Sequence, residues 1–404
     1  MTPQVSKSRP SMFASLRIRN YRLYFSGQTV SVAGSWMQNI AVGWLVLELT
    51  GSGTILGFVT AAKFVPLVVL GPWGGLVADR VDNRKLLIWT QVAQAVLTAV
   101  LAALVWAGAA TVPILVTLVF TIGLVNVLDG PSRQSLIPQL VQRDLVANAI
   151  ALNSITLNLA RIVGPAIGGV LIAHLGLTPC FVINALSFGP VIASLLLLRS
   201  SEIIPAKRQV SGKGQIRAGV AYIRRTRSLA LPMIMVTVVG TLAWEFPVTL
   251  PLLTTTTFHQ AASGYGTAMS FLAAGALLGG LVAARRHHIS VRSLGASAML
   301  CGLTISAAGL APNLALAHVA LMFVGASVTS FNSAAKTVMQ LASAPEFRGR
   351  VMGLWQIAWQ GSAVIGGPVV GSIGSTAGPR YALLTGGIAA AAVGLPMVAR
   401  RTAR

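Results

Sequence analysis

The sequence predicts an all-α integral membrane protein of twelve transmembrane helices in two pseudo-symmetric six-helix bundles. Three observations carry that prediction. The segment Gly74-Gly75-Leu76-Val77-Ala78-Asp79-Arg80 returns about 205 residues later as Gly279-Gly280-Leu281-Val282-Ala283-Ala284-Arg285, each copy closing an apolar span just before a basic turn. Such parallel duplication places a binding site between the halves, near the bilayer midplane. Of the 404 residues 54% are apolar and only 9% charged, with a mean hydropathy of +0.76, which leaves no room for a sizeable soluble domain. Finally, the charges fall between the apolar stretches rather than on one face.

Apolar stretches of about 20 residues suit spanning helices. They occur at 21–49, 54–77, 85–108, 112–133, 147–176, 179–199, 229–257, 264–284, 292–311, 313–341, 347–377 and 379–399. The first six make an N-terminal bundle (1–199), the last six a C-terminal bundle (229–404), and 200–228 is a basic linker. The basic start runs straight into a long span with no small-residue cleavage site, so no cleaved signal peptide is expected.

The net charge of +22 invites a nucleic-acid reading, but charges that punctuate spans do not build a soluble basic face. With both termini in the cytoplasm, 27 of the 30 Lys and Arg residues fall on the inner side. That is the positive-inside pattern. Only Lys63 and Arg161 lie within spans, and only Arg380 lies outside. In the linker Ile216, Val220 and Ile223 recur at helical spacing opposite Arg217, Arg224 and Arg225. This pattern suits either an amphipathic helix on an anionic leaflet or a solvated basic connection. Cys180 and Cys301 lack metal or redox spacing and read as packing residues. His174, His259 and His318 are scattered, and His287-His288 belongs to a basic turn, so no metal site is expected.

Polar side chains inside spans turn away from lipid and so mark a cavity. On the first span Gln28, Ser31, Ser35 and Gln38 share one helical face. The fifth span offers Ser154, Asn158 and Arg161. On the eleventh, Gln356 with Gln360 and Trp355 with Trp359 are each four apart, a wall suited to an amphipathic, ring-containing ligand. Trp244 adjoins the same cavity, and Lys63 is too deep to snorkel, facing either the cavity or a carboxylate. Trp44, Trp73 and Trp106, near span ends, read as interfacial anchors.

Glu245 is the leading proton-coupling residue. It lies inside the seventh span between Trp244 and Phe246, with Pro247 and Pro251 following, so the helix there is expected to be broken. A charge at that depth costs roughly 2.5–3.5 kcal/mol, and a carboxyl so placed suits proton uptake and release. Arg161 is its expected partner in coupling. The alternatives are a structural ion pair of Glu245 with Arg161 or Lys63, or a water-exposed Glu at the outer mouth. Asp129 and Arg133 form an i,i+4 pair at the inner end of span four, and Lys336 holds the corresponding place in the second half; all three read as gate residues, with Asp129 a second coupling candidate. Glu48, near an outer end, reads as solvated. No GxSxG elbow, zinc signature or GxxxxGK phosphate loop is present, so neither an enzyme nor an ATP-driven pump is expected, and no cofactor is implied.

The loop Gly75-Leu-Val-Ala-Asp79-Arg80-Val-Asp82-Asn83-Arg84-Lys85 resembles the signature between spans two and three of the major facilitator superfamily. The resemblance implies a cytoplasmic gate in which Gly75 allows close helix approach, Asp79 caps or pairs, and Arg80 with Arg84 latches the inner side. Asp82 and Asn83 depart from the pattern. Gly164-Pro165-Ala166-Ile167-Gly168-Gly169 resembles the drug-antiporter motif, with Ala160 in place of one glycine, and Gly366-Gly367-Pro368 echoes it in span eleven. Small residues permit close crossing, and Pro165 bends the helix. The start, Leu16-Arg17-Ile-Arg19-Asn20-Tyr21-Arg22-Leu23-Tyr24-Phe25, with Gly130-Pro131-Ser132-Arg133-Gln134 and Arg348-Gly349-Arg350-Val351-Met352-Gly353, resembles the branch containing the enterobactin exporter and macrolide efflux proteins. That resemblance implies a bacterial plasma-membrane exporter and the antiporter motif implies proton coupling, while the polar and aromatic stripes add an amphipathic small-molecule cargo; a monomer is expected. An uptake symporter or facilitator is the alternative within this architecture, and a non-transporting receptor or scaffold the alternative outside it.

Overall fold

The computed structural model describes residues 13–204, 215–284 and 290–399. These residues form helices, with no strand among them. In chain order the α-helices are α1 (Arg19–Thr50), α2 (Gly53–Arg80), α3 (Asn83–Trp106), α4 (Val112–Gln139), α5 (Val146–Leu175), α6 (Thr178–Leu196), α7 (Gln215–Arg225), α8 (Arg227–Val238), α9 (Phe246–Leu252), α10 (Ala262–Ala284), α11 (Val291–Leu310), α12 (Leu314–Ala342), α13 (Arg348–Gln360), α14 (Ala363–Thr376) and α15 (Pro379–Ala399). Local chemistry sets their ends. Gly51 terminates α1 at φ 62°, a left-handed conformation that glycine adopts without penalty. The Ser52 hydroxyl accepts from Ile55 N to start α2 (3.3 Å), and Asn313 Oδ1 accepts from Leu316 N to start α12 (3.0 Å).

Eleven segments among the described residues are long and apolar enough to cross a membrane. The expected eleventh span is divided into α13 and α14 at Gly361–Ser362. There the Ser362 hydroxyl donates to the Trp359 carbonyl at 2.8 Å, competing with the helical ladder. The seventh span is also interrupted. After α8 the chain passes through a π-turn at Val239–Ala243, unwinds at Trp244 and Glu245, and restarts as α9. Pro247 lacks an N–H and is therefore tolerated only in a helix's first turn, the place it takes in α9.

In the first half α1 packs on α5 and α6, α2 on α4, and α3 on α4 and α6. In the second α10 packs on α12, and α11 on α12 and α15. Two crossings join the halves, α2 with α14 and α5 with α10. One buried apolar cluster draws on both halves, with Met37, Leu56, Phe246, Val248 and Tyr265, whereas a second, with Tyr21, Tyr24, Leu87 and Phe188, belongs to the first half alone.

In the linker the expected amphipathic helix forms as α7, with Arg217, Arg224 and Arg225 exposed. The apolar side of α7 docks on the turn between α12 and α13. Tyr222 stacks on Phe347 with centroids 4.3 Å apart, its hydroxyl accepts from Ala344 N at 3.1 Å, and Ile223 is buried. A protein partner offers ring stacking and a backbone donor that a lipid surface lacks, while Val220, Arg224 and Arg225 stay exposed. Lys207, Arg208, Lys213 and His287-His288 lie outside the described residues. Trp73 and Trp106 are exposed, as interfacial anchors should be, but Trp44 is half-buried against the core.

Candidate functional site between the halves

The crossings between halves are concentrated at the end away from the basic turns, and glycines make them possible. A Cβ on Gly57 of α2 would stand 2.1 Å from the Gly367 carbonyl oxygen of α14, and one on Gly53 would stand 3.0 Å from that of Gly371. On the other crossing Gly169 of α5 faces Ala262 and Gly266 of α10, and the Ser270 hydroxyl donates to the Ile162 carbonyl at 2.9 Å. Gly164 and Gly168 also seat α5 on α1, against Trp36 and Met37. The motif Gly164-Pro165-Ala166-Ile167-Gly168-Gly169 therefore serves two faces at once. Toward the basic end Asp79 and Arg80 are exposed, and a Cβ built on Gly75 would meet no neighbouring helix within 4 Å.

Between the halves lies a cavity of about 430 Å³. Its wall includes Trp36, Gln38, Asn39, Lys63, Asn126 and Arg161 from the first half and Trp244, Phe246, Tyr265 and Gln360 from the second. The Arg161 guanidinium lies 4.9 Å from the Trp36 ring centroid, and Lys63 Nζ donates to Asn39 Oδ1 at 2.6 Å. Lys63 thus faces the cavity and a neutral amide, not a carboxylate.

Of the residues expected on the wall, Gln38, Lys63, Trp244 and Gln360 are there. Gln28 is buried in the first bundle, the Ser35 hydroxyl bonds back to the Ser31 carbonyl, and the Asn158 amide bonds back to the Ser154 carbonyl. Trp359 is buried against Trp244, with centroids 5.2 Å apart, and so supports the wall from behind. Trp355 is buried beneath the Lys336 ammonium, 5.5 Å from its ring centroid, and Gln356 is half-buried off the wall. The residues missed from sequence were Trp36, Asn39, Asn126 and Tyr265. Trp36 and Asn39 adjoin the polar stripe of α1, which was the available signal.

Glu245 is 3% exposed. It sits at the break in the seventh span, but its carboxyl does not line the cavity. Its Oε1 lies 3.0 Å from where a Cβ on Gly366 would be, so it is turned toward α14. Among the described residues it forms no ion pair with Arg161, Lys63 or any other cation. Trp244 and Phe246, on either side, do reach the cavity wall. The carboxyl is thus one residue removed from the cavity and packed on a helix of the interface between halves.

Of the contacts expected among the gate residues, the Asp129–Arg133 pair is formed. Asp129 pairs with Arg133 at 2.6 Å within α4 and accepts from Thr90 Oγ1 at 2.9 Å and Gln91 Nε2 at 2.6 Å on α3. This is a network inside the first bundle. Arg84 donates to the Leu195 carbonyl at 2.7 Å and the Leu196 carbonyl at 2.8 Å, so it caps the end of α6 rather than latching to the other half. Asp82, which departs from the resembling signature, accepts from Arg84 N at 2.9 Å and Lys85 N at 3.3 Å, capping α3. Close helix approach is made not by Gly75 but by Gly74, where a Cβ would stand 2.2 Å from the Val127 carbonyl oxygen. Lys336 and Glu48 are exposed.

Two bundles, a shared central cavity and glycine crossings define the architecture of major facilitator transporters. The family of transmembrane secretion effectors, a branch of that superfamily, matches residues 10–403, and the chain belongs to it. It is 26% identical over 65% of its length to the Staphyloferrin A transporter of Staphylococcus aureus, covering 66% of that protein. It is 23% identical to Macrolide efflux protein A of Streptococcus pyogenes, covering 84% of this chain and 86% of the relative. The Multidrug efflux pump Tap of Mycobacterium bovis is 28% identical, over 90% of this chain and 85% of the relative. In fold it is similar to the crystal structure of a bacterial homologue of the human lysosomal transporter Spinster, inward-facing and unoccupied, with a TM-score of 0.70, 14% identity and coverage of 97% and 95%. The chain is a multi-pass membrane protein of this superfamily.

Proposed function

We propose that the protein exports amphipathic small molecules from the cytoplasm in exchange for protons, by alternating access and as a monomer. Residues 1–199 and 229–404 are the moving bundles, the segment 200–228 joins them, and both termini are cytoplasmic. The basic turns then face the cytoplasm, and the described conformation is closed outside and open inside.

The observation that carries this reading is Glu245. A lone buried carboxyl, at a helix break beside the cavity and against the crossing between halves, is placed to let protonation and the inter-half contact affect each other. When protonated it rests neutral against Gly366, whose neighbour Gly367 makes the backbone crossing with Gly57 of the other half. When it releases its proton, an unpaired charge at that depth is costly. Relief requires water or a donor, and so favours separation of the crossing. The relatives, whose names describe efflux of macrolides and of several drugs, support the outward direction.

The test is substrate-induced pH change inside proteoliposomes, with a panel of macrolides, dyes and catecholate siderophores. Proton movement coupled to one cargo class, in native protein and not in Glu245→Gln, is expected. Flux without proton movement would replace this reading with a facilitator, and flux in the same direction as the protons would replace it with a symporter.

A further inference from the structure

We infer that the cavity takes an anionic amphipathic ligand, its acid group held between Arg161 and Lys63 and its ring against Trp36 and Trp244. This rests on the transporter reading above and specifies its cargo.

The charge on the cavity wall is one-sided. Lys63 and Arg161 are its charged residues, and no Asp or Glu lines it. Among the described residues no carboxylate pairs with either cation. Glu245 is turned to Gly366, and Asp129 is already committed to Arg133. The Arg161 Nε is buried with no hydrogen-bond partner, and its guanidinium rests on the neutral Trp36 ring. Lys63 is bound to a neutral amide.

Two like charges in an apolar enclosure are each poorly solvated and repel one another. An entering anion relieves both penalties, whereas a cation adds a third positive charge. The neutral groups point the same way. Gln38 Oε1 accepts from Asn184 Nδ2, which leaves the Gln38 amide hydrogens free toward the cavity. Arg161, with its planar fork, suits a carboxylate or sulfonate better than a point charge does. The remaining wall, including Phe64, Val119 and Met269, is apolar, which suits the hydrocarbon part of such a molecule.

The test uses three matched probes, 2-naphthylacetate, 2-naphthylacetamide and 2-naphthylethylamine, titrated calorimetrically into the full-length protein in nanodiscs. The acetate is expected to bind at least about tenfold more tightly than the neutral amide, and the amine more weakly than either. Arg161→Gln and Lys63→Gln should each bring the acetate's affinity down to about that of the amide in the same variant, and measurable binding of the amide there reports a folded site. Arg161→Lys should restore part of the advantage. Preference for the amine, equal affinity for all three, binding of none, or an acetate affinity unmoved in both Gln variants would each overturn the inference. Flux of the same probes from vesicles separates the two claims. An anion that binds but does not move counts against the transporter reading alone, and transport of the amine in preference to the acetate counts against the anionic site alone.

Discussion

The two halves build the same joint and load it differently. In the first, Gly164 of α5 packs on Ala33 and Met37 of α1; in the second, Gly366 of α14 packs on Thr241 and Glu245 of the seventh span. Met37 and Glu245 therefore hold matching places, as do Trp36 and Trp244, both on the cavity wall. The helices carrying these glycines also cross to the other half, α5 onto α10 and α14 onto α2. Duplication supplied a pair of close-packed pivots, and divergence put a carboxyl in one of them. The cations of the cavity, Lys63 and Arg161, come from the opposite half. Charge is thus divided between the bundles rather than paired within one, which leaves it responsive to what enters between them.

Making the joints identical should have the largest effect. Glu245→Met copies the first half, and the account expects it to fold and bind ligand but to lose gradient-driven accumulation. With the membrane potential clamped at zero, a pH gradient of one unit gives one coupled proton about 1.4 kcal/mol, or a ligand gradient of about tenfold. Vesicle accumulation should therefore fall from that order to unity. If the ligand is a monoanion, each export cycle also carries two charges in the same electrical sense, so transport currents in supported membranes should be inside-positive, whereas symport of the same anion with one proton would be silent.

Breaking a crossing should come next. Gly57→Val puts a side chain on the Gly367 backbone, where no rotamer change relieves the overlap. Spin labels at Thr54 and Ser375, whose parent residues are hydrogen-bonded at 3.1 Å, should report a separated outer end, and export should fall by about tenfold or more.

Matched positions elsewhere sharpen the comparison at lower energy. Arg133 is half-buried against the buried Asp129, whereas Lys336 in the second half is exposed. Arg133→Met strands a buried carboxylate and should destabilise by about 3–5 kcal/mol, with Asp129→Asn in addition restoring much of the loss. Lys336→Met should stay within about 1 kcal/mol. Thermal unfolding in detergent distinguishes the two. The smallest effect belongs to Tyr222→Leu, which loses one ring stack and one hydrogen bond, about 1–2 kcal/mol of docking for α7. Faster hydrogen exchange across 215–225 would register it.

The fold was legible because lipid imposes long apolar spans and the charges mark their ends. The break at Glu245 was legible too, because Pro247 and Pro251 state their backbone consequences locally. Cavity membership was only half legible. Gln28, Gln38, Trp355 and Trp359 all lie on polar or aromatic stripes, but which stripe meets the cavity depends on how each helix is rotated in its bundle. Gln38 and Gln360 reach the wall, while Trp355 and Trp359 pack behind it. Helix rotation is set by glycine contacts with distant partners, such as Gly361 against Val68 and Gly240 against Ser362, which one helix's own sequence does not reveal. The partners of Arg84 were illegible for a related reason: in this conformation it meets the open carbonyls of α6 within its own bundle, a contact supplied by tertiary packing.

The most direct test of the central claim compares two transport modes in Glu245→Gln proteoliposomes. A permanently neutral side chain should leave ligand counterflow, which needs only the moving bundles, within about twofold of native, while proton-driven accumulation disappears. Accumulation that persists in Glu245→Gln would contradict the account and remove Glu245 from the coupling mechanism.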